Sequence, residues 1–222
     1  MTSNSLSFAQ LEVRVILFGL RANRLQVLLA CSPFAAEACW ELPGAPVLPE
    51  QSLDETASSC LTRFSAIKEA YLEQLYTFGD LHRGYSDRVI SVAYFALLPA
   101  GTNPMVIDET RAQWFPVDEL PEMAADHNEI VQYGLRRLRY KLEYSVVGFQ
   151  LLPEAFSLSE LQLTYEQILG ESLDKRNFRR RILEAGIIEP TERQRLGEGR
   201  PARLYRFRPG AVAEVKARRL FP

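Results

Sequence analysis

The side chains best suited to chemistry in this sequence are cations grouped on one predicted helix. Five of the seven residues from Lys175 to Arg181 are lysine or arginine. Helical spacing turns four of these cations, all but Arg181, mostly outward. It directs four apolar residues toward a core, namely Leu173, Phe178, Ile182 and Leu183. A row of exposed cations can bind phosphate groups. The candidates for contact with a polyanion are Lys175, Arg176, Asn177, Arg179 and Arg180.

Residues around this basic helix indicate where it and its neighbours begin and end. Asp174 is suited to cap its start, and Gly186 is suited to end it. Two short strands are predicted after it, at residues 187–188 and 204–207. A helix followed by a hairpin is the layout of a winged helix-turn-helix, whose basic helix enters the major groove of double-stranded DNA. A wing reaches a narrow minor groove or its phosphates, and the expected wing contacts are Arg200 and Arg203.

A solvated surface is the alternative explanation, because a run of charges on a helix usually faces water. The preceding segment favours DNA binding. Ser157 and Glu160 form a capping-box pattern, which opens a helix that ends at Gly170. From this helix Tyr165 and Gln167 could touch phosphate, although Tyr165 is expected in the core. A capped helix, a short turn, a basic helix and a basic hairpin together indicate a DNA-binding module.

The charge balance differs between the two ends of the chain. The 222 residues carry a net charge of −2. Residues 1–150 hold 12 basic and 18 acidic residues, whereas residues 151–222 hold 14 basic and 10 acidic ones. A basic module on an acidic body favours a nucleic-acid partner, because phosphate binding needs a local patch rather than a basic average.

Composition also indicates the compartment. No apolar run approaches the roughly 20 residues of a membrane span, and the first residues lack a signal-peptide pattern. The cysteines are odd in number and form no CxxC pair, which is typical of a reducing cytoplasm. A cytoplasmic protein without a membrane partner is therefore expected, and two histidines are too few for a His-rich metal cluster.

Strands mixed with helices predict the class of the fold. Strands are predicted at residues 11–20, 24–31, 72–78, 88–98 and 113–117. Helical spacing occurs at residues 54–65 and 126–144. The mixture indicates an α+β sandwich with a C-terminal winged helix. The predicted boundaries are 1–145 for the sandwich, 146–155 for a linker and 156–222 for the winged helix.

From Trp40 to Gly44, with the sequence WELPG, the chain resembles the Nudix fold, an α/β/α sandwich in which a Gly-rich turn leads into a helix with a catalytic box. The family pattern is G-x5-E-x7-R-E-U-x-E-E-x-G-U, where U is aliphatic. In that family the glutamates coordinate Mg²⁺ at a diphosphate, since Mg²⁺ prefers hard oxygen ligands close together.

The box is degenerate in this sequence. Strict counting from Gly44 reaches Glu50, Ser58, Ser59, Thr62 and Arg63. A register shifted by one matches the apolar positions better, and it places Gln51, Ser59, Cys60, Arg63, Phe64 and Ala66 at the E, R, E, E, E and G positions. In both registers the paired glutamates are missing and a cation occupies a metal-ligand position. Hydrolysis with a divalent metal is therefore not expected.

Farther along, the chain resembles the Nudix-related transcriptional regulators, the NrtR family. The resemblance rests on EQLYTFGDLHR (73–83), RVISVAYFALL (88–98), DHNEIVQYGLRRLRYKLEYS (126–145), residues 151–186 and GRPARLYRF (199–207), with LDKRNFRRRIL (173–183) the most specific stretch. It implies a dimeric repressor of genes of NAD synthesis or related pathways. It also implies a palindromic operator and release from it by ADP-ribose or a related nucleotide.

The resemblance places the effector in the Nudix-like domain, where the expected ligand-binding residues are Trp40, Glu41, Asp80, Arg88 and Tyr94. Arg88 is suited to a phosphate, and an aromatic ring is suited to adenine. Simple packing of Trp40 and Tyr94, and a structural ion pair between Asp80 and Arg88, are the alternatives. No catalytic residue, metal or cofactor besides the effector is expected. The rival interpretation is a Nudix hydrolase of ADP-ribose or a similar nucleoside diphosphate derivative, which the missing glutamates disfavour.

Overall fold

The computed structural model describes residues 9–31, 40–65, 70–83, 87–101, 112–143, 145–195, 201–208 and 211. Contacts divide the chain into two compact units. The first takes the described residues within Met1–Phe18, Val27–Ala96 and Pro104–Gly134. The second takes those within Gly19–Gln26, Leu97–Asn103 and Leu135–Pro222.

A seven-stranded sheet holds most of the strands. Its members are β1 (Gln10–Arg21), β2 (Arg24–Cys31), β3 (Trp40–Glu41), β4 (Gly44–Pro46), β5 (Tyr71–Phe78), β6 (Val89–Leu98) and β7 (Ala112–Pro116). Five of them follow the order β3-β2-β1-β6-β5, while β4 pairs with β1 and β7 pairs with β2. The β2–β3 and β1–β4 pairs are antiparallel.

The hairpin of β1 and β2 forms because both strands are rich in β-branched and other apolar residues, with Val15, Phe18 and Leu28 fully buried. Its turn consists of Ala22 and Asn23, whose φ angles are 48° and 60°. Left-handed backbone at both central residues is the pattern of a type I′ turn, which matches the twist of the strands.

Two helices accompany this sheet, α1 (Leu53–Ser65) and α2 (His127–Leu142). A capping box starts α1: Ser52 Oγ accepts from the Glu55 amide at 3.2 Å, and Glu55 Oε2 accepts from the Ser52 amide at 2.8 Å. In α2, Gly134 permits close packing on the sheet, since a Cβ there would lie 2.4 Å from Cδ1 of Ile16.

The rest of the described chain forms a compact winged helix. It consists of a 3-10 turn (Val147–Leu151), α3 (Leu158–Leu169), α4 (Lys175–Glu184) and the antiparallel hairpin of β8 (Ile188–Arg195) and β9 (Ala202–Phe207). Aromatic contacts hold it together: Tyr165 meets Phe178 at 5.6 Å between ring centroids, and Phe149 meets Phe207 at 5.2 Å. The backbone amides of Phe156 and Tyr205 each donate to the other residue's carbonyl oxygen. Phe156 therefore forms an isolated antiparallel bridge with β9 of the hairpin.

Both ends of α3 are satisfied as the sequence predicts. Ser157 and Glu160 form the complete capping box, and Gly170 ends the helix in the left-handed region with φ 77°. Arg139 of α2 adds a bond at the same end, because its Nε donates to the Ile168 carbonyl at 2.7 Å. A cation at a helix C-terminus is favourable on electrostatic grounds.

The predicted helices and strands all have counterparts, and most ends agree within two residues, but β8 continues to Arg195, seven residues beyond the predicted end at 188. Two further differences concern the winged helix. The predicted linker contains the turn Val147–Leu151, and Phe149 in this turn is buried among aromatic rings. The prediction that Leu183 faces the core is wrong, since its side chain is 50% exposed. None of the described helices is long and apolar enough to cross a membrane.

Candidate nucleic-acid interface and ligand site

Helix α4 begins with a firm cap and has one buried face. Asp174 caps its start by accepting a hydrogen bond from the Asn177 amide at 2.8 Å. Phe178 and Ile182 are buried, so residues on the opposite side of the helix face solvent. Arg176 and Arg180 lie on that outer side and are exposed. This outer face presents positive charge to solvent, and Arg180 on it also pairs with Glu184 at 3.8 Å.

The other predicted contacts on α4 differ in how their side chains are held. Lys175 is exposed in the first turn. Arg179 is half-buried, and its guanidinium donates to Ser159 Oγ at the start of α3 at 3.1 Å. Asn177 is exposed, but its Oδ1 accepts from Arg180 at 2.8 Å. All five candidates therefore lie on one helix, and two of them already bond to each other.

The wing carries more cations than the sequence prediction named. Arg203 of β9 is exposed and lies opposite Gln194 of β8, while Arg200 lies outside the described residues. Arg193 is also exposed on β8, and Arg195 forms an ion pair with Glu160 of the α3 capping box. The alternation of arginines along β8 was visible in the sequence and would have indicated this second row.

The ligand candidates on β3 lie within a polar group that the sequence did not reveal. Glu41 accepts from Arg14 Nη1 at 3.2 Å, and Arg14 also pairs with Glu12 at 2.8 Å. Trp40 packs edge-on against Phe115, with ring centroids 4.8 Å apart. A Cβ on Gly44 would lie 2.6 Å from the Arg14 side chain, so glycine is needed for this approach.

A second polar group anchors the start of α2. Arg83 is 7% exposed, and its guanidinium pairs with both oxygens of Asp126 at 2.7 and 2.9 Å. His127 is fully buried, and its Nδ1 accepts from the Leu42 amide at 3.1 Å. Burial, reinforced by the charges of Arg14 and Arg83, lowers the pKa of His127 to about 3. The imidazole is therefore neutral at neutral pH, as an acceptor must be.

The three remaining candidates lie on or beside β5 and β6. Tyr94 is buried and donates to Asp54 of α1 at 2.6 Å, and burial raises the pKa of this tyrosine. Arg88 donates to the backbone carbonyls of Gly79 and Asp80 at 2.6 and 2.7 Å. Asp80 itself is exposed. Arg88 and Asp80 are thus neighbours, joined through backbone oxygen.

Two box positions on α1 carry side chains without an oxygen ligand. In the preferred register of the box, Cys60 and Arg63 occupy two glutamate positions. Cys60 is fully buried, and burial raises the pKa of its thiol, so the sulfur is a neutral soft atom. Arg63 is an exposed cation. Neither offers the hard oxygen that Mg²⁺ prefers. Among the described residues, no cluster of three or more His, Cys, Asp or Glu could hold a metal ion.

The fold and the basic helix define a class of two-part proteins, in which a sheet-and-helix domain with a degenerate Nudix box precedes a winged helix. The family model described as "NrtR DNA-binding winged helix domain" matches residues 148–207. The "ADPR responsive transcriptional repressor NtrR" of Acinetobacter baylyi is 33% identical over 205 residues, which cover 89% of this chain and 81% of that protein.

Two solved structures from Shewanella oneidensis agree. NrtR complexed with a 27mer DNA has a TM-score of 0.81 and 31% identity, covering 94% of this chain and 96% of that chain. The NUDIX domain of NrtR complexed with ADP ribose has a TM-score of 0.52 and 27% identity, covering 62% and 94%. The chain belongs to the NrtR family.

Proposed function

We propose that this protein is a DNA-binding transcriptional repressor whose Nudix-like domain binds ADP-ribose or a related nucleotide without hydrolysing it. Nucleotide binding would release the operator. The regulated genes would be those of NAD metabolism or a related pathway, and the protein would act as a cytoplasmic homodimer that joins the nucleoid when bound to DNA.

The outer face of α4 is the observation that carries this proposal. Arg176 and Arg180 are exposed there, opposite the buried Phe178 and Ile182. Asp174 caps the start of α4 and so fixes the orientation of the exposed face that a recognition helix lays in the major groove. Likeness over nearly the whole chain to an NrtR bound to DNA supports the same use of this helix.

The nucleotide effector has support from two directions. The Nudix domain of the Shewanella protein is complexed with ADP ribose, and the first part of this chain resembles it. The positions occupied by Cys60 and Arg63 lack metal-binding oxygens, which favours binding over hydrolysis. A sensor must also bind its ligand better in one state than in another, because a ligand without such a preference shifts no equilibrium.

The short reach of a single recognition helix supports a homodimer. One recognition helix contacts only a few base pairs, and specific binding needs more contacts than these. Two copies related by a two-fold axis would read the two halves of a palindrome.

Fluorescence anisotropy tests the proposal. The purified protein is titrated against labelled DNA from upstream of its own and neighbouring genes, with nonspecific competitor, near physiological salt. Specific binding that ADP-ribose abolishes is expected. Binding that ADP-ribose leaves intact would overturn the effector, and the absence of specific binding to every fragment would overturn the repressor.

A further inference from the structure

Leu183 of α4 exposes a large apolar side chain to solvent, which is unfavourable because water solvates apolar surface poorly. Half of its surface faces solvent, and it is the large exposed apolar side chain among the described residues between 148 and 207. Its neighbour Ile182 is fully buried and occupies the core-facing position. Because successive residues of a helix point about 100° apart, Leu183 is turned away from the core.

The position of Leu183 on α4 places it on the outer face. It lies three residues after Arg180 and seven after Arg176, the spacing that brings side chains onto one side of a helix. Both arginines are exposed. The stripe therefore presents two cations followed by one branched apolar group, all on the side that the proposed function turns toward DNA.

We infer that Leu183 reads sequence by packing against the C5-methyl group of thymine in the major groove. This inference rests on the proposed function and adds one base-reading residue to it. The thymine methyl is the apolar group that the major groove offers, and apolar side chains contact it in specific complexes. Arg176 and Arg180, which precede Leu183 on this face, suit the surrounding phosphates. Arg180 also pairs with Glu184 at 3.8 Å.

The spacing along α4 also assigns a separate base pair to Leu183. Seven residues of α-helix rise by about 10 Å, which is the length of about three base-pair steps. Leu183 and Arg176 therefore address different base pairs. An arginine selects guanine and a leucine selects thymine, so the two contacts give independent sequence information.

Uracil substitution tests the contact directly, since uracil is thymine without the methyl group. The DNA fragment from upstream of the protein's own gene is amplified once with dTTP and once with dUTP. Wild type and Leu183→Ala are titrated against both fragments by anisotropy. Burial of one methyl-sized group corresponds to about fourfold in affinity. We expect wild type to lose about fourfold per half-site on uracil DNA, and Leu183→Ala to lose about as much on thymine DNA but little more on uracil DNA.

The matched control is Leu48→Ala, the same substitution at a leucine that is also 50% exposed but lies outside the winged helix. It should keep the full loss on uracil DNA, because general effects of uracil on the duplex act on it as on wild type. Circular dichroism of Leu183→Ala should show a wild-type spectrum.

Three results would overturn the inference. One is equal affinity of wild type for both fragments. Another is an undiminished uracil effect in Leu183→Ala. The third is a change from dimer to monomer in Leu183→Ala by sedimentation, which would mean that a second copy covers this leucine. If wild type binds neither fragment specifically, the proposed function fails first and the inference fails with it.

Discussion

The arginines of α4 are alike in chemistry and unlike in their surroundings. Arg176 is exposed on the outer face, whereas Arg179 donates a hydrogen bond to Ser159. Arg181 lies on the flank of the same helix and is half-buried. Position on the helix, and not charge alone, should therefore decide how much each arginine contributes to DNA binding.

Replacement of Arg176 by alanine should weaken operator binding by about 1–3 kcal/mol, because a bidentate contact to a base edge is lost. The matched control is Arg181→Ala, which removes the same charge from the same helix on a different side. Arg181→Ala should reduce the binding free energy clearly less than Arg176→Ala, and by the same amount for every DNA sequence. Anisotropy with the operator fragment and with a scrambled fragment measures both effects. Equal losses in the two variants would contradict the assigned orientation of α4.

His127 should make the free energy of unfolding depend on pH in the acidic range. Its pKa is about 3 in the folded protein, against an ordinary value of about 6.5 in the unfolded chain. Between these values the unfolded chain binds more protons, so stability falls as the pH drops below about 6.5. The slope for one proton is about 1.4 kcal/mol per pH unit.

Urea unfolding between pH 7 and pH 4 measures this dependence, with His127→Asn as the comparison. Asparagine keeps an acceptor for the Leu42 amide but does not titrate. The variant should have a flatter pH profile than wild type. Parallel profiles over this range would show that His127 contributes nothing to the acid sensitivity.

Glu160 links two elements of the winged helix, α3 and β8. One of its oxygens accepts from the Ser157 amide in the capping box, and the other pairs with Arg195 of β8. The start of α3 is therefore tied to the wing. Loss of the cap should disturb the wing as well as the helix.

Ser157→Ala should lower the free energy of unfolding by about 1 kcal/mol, since the Glu160 amide loses its partner. Ser157→Asp retains a capping oxygen and should remain close to wild type. Thermal unfolding followed by circular dichroism measures both. An alanine variant as stable as wild type would mean that water caps this helix equally well.

The elements themselves could be predicted because their signals are local. Capping residues, glycines and the two periodicities lie within a few positions of the ends that they mark. Leu183 shows the limit of this reasoning. Periodicity predicts both Ile182 and Leu183 on the buried face at the end of α4, but the core covers Ile182 alone of the two.

The candidate site was predicted less completely, for a physical reason. The exposed candidates on α4 belong to one helix, so their spacing in the sequence determines their spacing in the structure. Arg14 and Arg83 instead act through partners 27 and 43 residues away, Glu41 and Asp126. No local pattern encodes such pairs, because only the folded sheet brings them together.

The degenerate box should make nucleotide binding by the protein independent of Mg²⁺. ADP-ribose should bind equally well in EDTA and in Mg²⁺, and incubation with Mg²⁺ should yield no AMP above a protein-free control. Cys60 and Arg63 lack the oxygen ligands that would couple Mg²⁺ to the diphosphate. Calorimetry and chromatography of the nucleotides measure the two outcomes. Binding lost in EDTA, or AMP formed in proportion to protein, would restore the hydrolase interpretation.

The uneven distribution of charge predicts how DNA binding responds to salt. An acidic first part repels the duplex, and the cations of α4 and the wing attract it. Affinity should fall steeply as salt rises, because bound phosphates release counterions. Arg193→Ala should make this slope shallower by about 1 per copy if the wing meets phosphate. Titrations at four salt concentrations compare the slopes, and an unchanged slope would remove Arg193 from the interface.

The turn of the first hairpin is a position at which substitutions should stabilise the protein. Ala22 sits at φ 48°, a conformation that costs an ordinary residue roughly 1–2 kcal/mol. The pair Asn-Gly is the preferred occupant of such a turn, so Ala22→Asn with Asn23→Gly should raise Tm. Evolution retains only the stability that a protein needs. A sturdier scaffold, for example for a nucleotide biosensor, can therefore start at this hairpin tip and leave the residues that meet DNA untouched.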